Sequence, residues 1–137
     1  MRGLRRTLTA VIWIFPLSSA LASGPARHPH IDYSGKPQVG RASYYGTQAR
    51  GKTTASGTKL KPDQLTAASR TLPLGTKAKV VNAENGKAVN VVVTDRGPFT
   101  KRRILDVSPK AARRLGMTTS GVAMVKVLPL QTPSAAR

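Results

Sequence analysis

A mainly β fold, closed into a small barrel, is what this sequence predicts. Short apolar alternations bounded by Gly, Pro or Asn recur along the chain, and helical periodicity is confined to one stretch of about two turns. The part able to form a core runs from about Gly40 to Leu130, a single small domain that suits a closed barrel better than a two-sheet sandwich. There is no cysteine, so packing alone must hold the fold.

The N-terminal stretch "MRGLRRTLTAVIWIFPLSSALAS" has a basic start (Arg2, Arg5, Arg6), an apolar middle from Leu8 to about Leu17, and a small-residue end. Ala20-Leu21-Ala22 fits the A-x-A pattern of a signal peptidase site, so residues 1–22 are expected to be a secretory signal cleaved before Ser23. The apolar run is shorter than the ~20 residues a membrane-spanning helix needs, and Pro16 interrupts it.

Export changes the meaning of the charge. The chain carries 23 Lys and Arg against five acids, a formal +18. In the cytoplasm such an excess points to nucleic acid; outside it, the polyanions are envelope polymers and lipid headgroups. A soluble periplasmic or secreted monomer is expected, without nucleic acid, lipid anchor or cofactor. His28 and His30 can bind metal incidentally, but no metal site is expected.

Residues 23–39 are rich in Pro, Gly and His without an apolar period and are expected to be a flexible leader. Within the domain, residues 40–130, "KAKVVNAENGKAVNVVV" reads as two β-branched strands joined across Asn85-Gly86, a pair favoured in tight hairpins because both residues tolerate positive φ. In the second strand Val89, Val91 and Val93 share one face, and period-2 continuation adds Asp95 to it. "SPKAARRLG" then reads as a two-turn helix with Ser108 as N-cap, Pro109 at the first position and Gly116 as terminator, plugging a barrel end or covering a sheet edge. "GVAMVKVLPL" returns to strand, and residues 131–137 form a disordered tail.

Taken together, "GRASYYG", "KTTASGTKL", "LTAASRTLPLGTKAKVVNAENGKAVNVVVTDRGPF" and "RILDVSPKAARRLGM" closely resemble the RlpA family of bacterial envelope proteins. The resemblance implies a six-stranded double-psi β-barrel with one or two short helices, the fold also used by expansins. It implies endolytic lytic transglycosylase activity on peptidoglycan glycan strands lacking stem peptides, leaving 1,6-anhydro-MurNAc ends. Many members carry a lipid anchor and a C-terminal glycan-binding repeat; this sequence shows neither the cysteine nor the length for them.

Such a reaction needs one proton-transfer group, because the sugar's own C6 hydroxyl replaces water as nucleophile and the group that protonates the leaving oxygen can later accept the hydroxyl proton. Of the five acids, Asp32 falls in the leader, Glu84 in the hairpin turn and Asp63 in the "LKPDQL" turn. Asp106 precedes Ser108 at a strand-to-helix junction, where it can bond backbone N–H groups or pair with Arg96 or Arg103, and is read as structural. Asp95 ends an apolar strand and opens the loop whose turn Gly97 and Pro98 set; its residue type fits either a general acid or a loop-closing group bonded to the Gly97 or Phe99 backbone.

The resemblance implies the first role for Asp95, with Thr58 and Ser69 lining the cleft. Of Tyr44 and Tyr45, which diverge on a strand, one can offer an aromatic platform to a sugar while the other enters the core, and Tyr45 and Arg96 are assigned to substrate binding with Thr58 and Ser69. Thr58 and Ser69 stand where active relatives usually have Glu and His. Neither titrates near neutral pH, which leaves a second expectation: a lapsed, expansin-like module that binds peptidoglycan without cleaving it. Phe99 is expected to pack against the barrel.

Overall fold

A computed structural model describes residues 30–134. The expected signal segment, His28 and the last three residues of the tail lie outside the described residues. The strands are β1 (Gln38–Tyr44), β2 (Thr66–Ser69), β3 (Lys77–Asn82), β4 (Ala88–Asp95), β5 (Arg103–Val107) and β6 (Val122–Gln131), with one helix, α1 (Pro109–Arg114), and a 3-10 turn at Thr47–Ala49. They close in the order β1-β5-β2-β4-β3-β6. The β1/β5 and β2/β4 pairs are parallel and the other four antiparallel, the double-psi arrangement. Closure removes free strand edges. The first strand begins inside the segment assigned to the leader, and the Asp32 N–H already donates to the Thr71 carbonyl at 2.7 Å.

The inward positions follow the period of two. Val89, Val91 and Val93 on β4 meet Val80, Val125, Val127, Leu105 and Val107, with Ala42, Ala67, Ala78 and Ala123 between them. Of the two placements open to the helix, the structure selects the plug: Ala111, Ala112, Leu115 and Met117 are fully buried in the same core cluster. Its expected ends are present, with the Ser108 hydroxyl accepting from the Ala111 N–H at 3.2 Å and Gly116 at φ +65°.

The β3–β4 turn departs from the tight form. Gly86 has φ +75°, but no non-glycine residue has positive φ among the described residues, and the Gly86 N–H reaches back to the Asn82 carbonyl at 2.8 Å. The turn is wider because its asparagines serve the helix: Asn82 and Asn85 each donate an Nδ2 hydrogen bond to the Leu115 carbonyl at 2.9 Å, satisfying a helix-end acceptor that has no intrahelical partner.

A second departure decides the site. Ala67 pairs with Val93 and Ala68 with Asp95, so Thr94 is an extra residue, a β-bulge in β4. Asp95 therefore does not continue the inward Val89-Val91-Val93 face. It moves to the outer face of the barrel beside Ala68, which lies outside the core cluster that contains Ala67.

Ser108 is fully buried, and its hydroxyl receives the Ala111 N–H. Ser108→Ala is expected to lower stability by about 1–2 kcal/mol in urea unfolding, from loss of the cap and an unsatisfied buried donor.

Candidate active site

On the outer face of β1, β5, β2 and β4, four residues stand in register: Ser43, Asp106, Ala68 and Asp95. The two aspartates flank Ala68, and because paired strands lie ~4.8 Å apart their backbones are roughly 10 Å from each other. The Ala68 methyl is thus a low floor between two carboxylate-bearing walls. A cleft of about 350 Å³ opens over it, lined also by Tyr45, Lys52, Thr54 and Leu60 on one side and Arg96, Gly97, Pro98 and Phe99 on the other.

Asp95 is held by backbone donors. Its Oδ1 accepts from the Ala55 N–H at 2.9 Å and from the Arg96 N–H at 2.8 Å, not from Gly97 or Phe99. Oδ2 has no hydrogen-bond partner among the described residues. The Ala55 contact belongs to the loop that roofs the cleft, and the same loop donates the Ser56 N–H to the Thr94 carbonyl at 3.0 Å. The bulge thus supplies both the turned carboxylate and the acceptor that docks the loop.

Thr58 lies in that loop. Its hydroxyl is 3.1 Å from that of Thr54 and 3.0 Å from that of Ser56, and the latter two are 2.9 Å apart, a closed triangle of three hydroxyls. Thr54 forms the cleft wall, and Thr58 stands behind it, exposed.

Ser69 does not reach the cleft. It is fully buried, and its hydroxyl accepts from the N–H groups of Thr71 and Leu72 at 3.3 and 3.0 Å, closing the turn after β2. Arg96 braces the same turn. Its Nη1 donates to the Ser69 carbonyl at 2.9 Å and to the Leu72 carbonyl, turning the cation away from Asp95. Burial pulls the guanidinium below its ordinary pKa, against raising contributions from Tyr33 and Asp95.

Asp106, expected to fasten the helix junction, instead forms a cleft wall. Its Oδ1 pairs with Arg103 Nη1 at 3.2 Å and accepts from the Ser43 hydroxyl, which in turn receives a hydrogen bond from Arg103. Of the two arginines the sequence offered, Arg103 is the partner. The available signal was alternation: with Leu105 and Val107 facing inward, Asp106 must face out.

The tyrosines divide. Tyr44 packs on the core, while Tyr45 lines the cleft with its hydroxyl 2.6 Å from that of Thr66. Burial raises the Tyr45 phenol pKa above its usual value, offset in part by hydrogen bonds with Thr66 and Ser108. Phe99, expected against the barrel, is 81% exposed at the cleft rim, following the cis Gly97-Pro98 peptide bond. The loop holds the ring out where the strands would have covered it.

Residues 37–127 match the family model described as lytic transglycolase. Over 90 residues, 64% of this chain, the sequence is 49% identical to a probable endolytic peptidoglycan transglycosylase RlpA of Nostoc sp., and covers 24% of that protein. Over 104 residues, 76% of this chain, it is 44% identical to the endolytic peptidoglycan transglycosylase RlpA of Pseudomonas aeruginosa, covering 30%. The chain thus spans about a quarter to a third of the length of these curated relatives. Among solved structures, an apo expansin of Clavibacter michiganensis superimposes with TM-score 0.56 at 23% identity, over 73% of this chain and 53% of that one, a likeness of fold.

Two outcomes are expected of the site's framework. Arg96→Ala strands two carbonyl acceptors and should cost about 2–3 kcal/mol in urea unfolding, against less than ~1 kcal/mol for Lys52→Ala at the exposed rim. Because the folded-state Tyr45 pKa is raised, the stability it contributes is present below the ordinary tyrosine value of 10.0 and is lost as pH rises through the folded value. Tyr45→Phe should remove that alkaline loss, read by thermal unfolding against pH.

Proposed function

The chain belongs to the lytic transglycolase family, and on that premise we propose that it is an exported enzyme acting in the periplasm or outside the cell. It cleaves peptidoglycan glycan strands lacking stem peptides and leaves 1,6-anhydro-MurNAc ends. The observation that carries this reading is the placement of Asp95: one oxygen fixed by two backbone N–H groups, the carboxyl turned by the bulge onto the outer face, and a cleft of glycan-strand scale beside it.

In the proposed step Asp95, protonated, gives its proton to the bridging oxygen as the bond from the MurNAc anomeric carbon to that oxygen breaks. The C6 hydroxyl of the same MurNAc attacks the anomeric carbon, and its proton passes to the Asp95 carboxylate, restoring the acid. No water is consumed. Tyr45 offers its ring and hydroxyl to the sugar, and Thr58 acts through the hydroxyl triangle that ends in Thr54. Ser69 and Arg96 are positioning residues for the turn beside Asp95.

A second reading, a binding module without turnover, is favoured by one observation: neutral hydroxyls occupy the position where the family resemblance places Glu, and Ser69 is buried where it places His. One assay separates the two. Amidase-treated peptidoglycan incubated with the purified protein should release anhydro-ended fragments, and Asp95→Asn should reduce release by at least ~100-fold, the usual scale of general acid–base catalysis, with an unchanged unfolding midpoint. Wall sedimentation by both proteins without any anhydro product across pH would establish the binding module instead.

A further inference from the structure

We propose that the outer face formed by β6, β3 and the start of β1 is a docking surface for an anionic phospholipid bilayer. In the closed strand order β6 lies across the barrel from β2, and β3 from β5. β6 and β3 are therefore on the opposite side from the cleft, and β1 joins the two sides. The chemistry of this face also differs. On β6 the outward positions are Met124, Lys126 and Leu128; the register then shifts at Leu130, which lines a separate hollow with Leu65, Asn90 and Val92. Register places Val39 beside Lys126 and Arg41 beside Met124 on one flank, and Val81 beside Lys126 and Lys79 beside Leu128 on the other.

Cations and aliphatic side chains thus interleave in both directions across the sheet. Val39 is 66% and Met124 38% exposed, and neither lines the cleft. The cations are Arg41, Lys77, Lys79 and Lys126, while two carboxylates border the face, Glu84 and Asp32. A soluble polyanion would be satisfied by the cations alone. The exposed aliphatics between them call for an apolar phase at the same depth, which the headgroup–acyl boundary of an anionic bilayer supplies: phosphates against the cations, acyl chains against Val39, Met124 and Leu128.

Docking in this way does not depend on what the cleft does. Its consequence rests on the proposed function: a barrel lying on its β6/β3 face points the Asp95 cleft away from the bilayer, toward glycan.

The test uses the full chain, since an identical N-terminal apolar segment in every variant leaves differences to report the face. Sedimentation with phosphatidylglycerol/phosphatidylcholine vesicles should show tighter binding than with phosphatidylcholine alone, weakened by salt. A cation near such a surface contributes about fivefold in affinity, so Lys77→Gln/Lys79→Gln/Lys126→Gln should weaken binding roughly 100-fold. Val39→Ser/Met124→Ser should weaken it and leave the residual binding more salt-sensitive. Wild-type affinity in the triple-cation variant overturns the proposal, and wild-type affinity in the aliphatic variant reduces the face to a polyanion patch and overturns the bilayer as occupant. Release of anhydro fragments, measured on the same variants with soluble glycan strands, should be unchanged, so failure of docking and failure of the cleavage reading are seen separately.

Discussion

Opposite Ala67 and Ala68 of β2, the fourth strand uses three residues, Val93, Thr94 and Asp95, where its neighbour uses two. Much of the site hangs on that mismatch. Without it the period of two would carry Asp95 into a barrel already filled by Val89, Val91 and Val93, where an ionised carboxylate costs several kcal/mol unless paired. With it, the carboxylate turns outward, and the freed Thr94 carbonyl becomes the acceptor for the Ser56 N–H of the roofing loop. One extra residue thereby couples the position of the acid to the position of the cleft wall. This is why bulges recur beside functional groups: they re-aim a side chain without disturbing the strands that hold it.

The distribution of cations around the two cleft carboxylates is just as selective. In a chain with 23 basic residues, a chance pairing would place a guanidinium on each aspartate. Only Asp106 receives one, and Arg103 and Ser43 hold it in a local cluster on β5 and β1. The residue next to Asp95 is also an arginine, but its guanidinium is committed to the Ser69 and Leu72 carbonyls. The same contact that braces the β2 turn therefore holds Arg96 out of a direct ion pair with Asp95. The two aspartates share a face and differ in company: Asp106 is ion-paired, whereas Asp95 is held by backbone N–H groups.

What could be read from the sequence follows from how local each feature is. The N-cap at Ser108, the stop at Gly116 and the alternation of Val89, Val91 and Val93 depend on neighbours within a few residues, and all were legible. The bulge was not, because nothing in "VVVTD" distinguishes an extra residue from a continued strand; the partner's register decides it. For Asp106 the arginine partner was legible and the place on the cleft wall was not: its nearness in sequence to the helix outweighs the alternation that turns it outward. Ser69 was assigned to the cleft on resemblance alone, and the structure gives its hydroxyl to the turn's own N–H groups. The Asn85 side chain, spoken for by the Leu115 carbonyl 30 residues away, likewise explains a turn that local propensity reads too tightly.

A closed barrel has no edge to offer a partner, so its outer faces are what remains for recognition, and here the two sides of one small cylinder have diverged. Over β5 and β2 the surface is concave because the segment between Tyr45 and Leu65 crosses it, burying Leu60 and Thr54 and leaving Ala68 as floor. Over β6 and β3 no segment crosses among the described residues, and the outward alternation of β6 is set directly against solvent with lysines between its aliphatics. A methyl floor suits a ligand that lies flat and is held from its sides, whereas an uncovered, interleaved sheet suits a planar phase. The inward half of the same alternation, Val125 and Val127, closes the core, so β6 fixes both the barrel's interior and the character of its far side through one period-2 pattern.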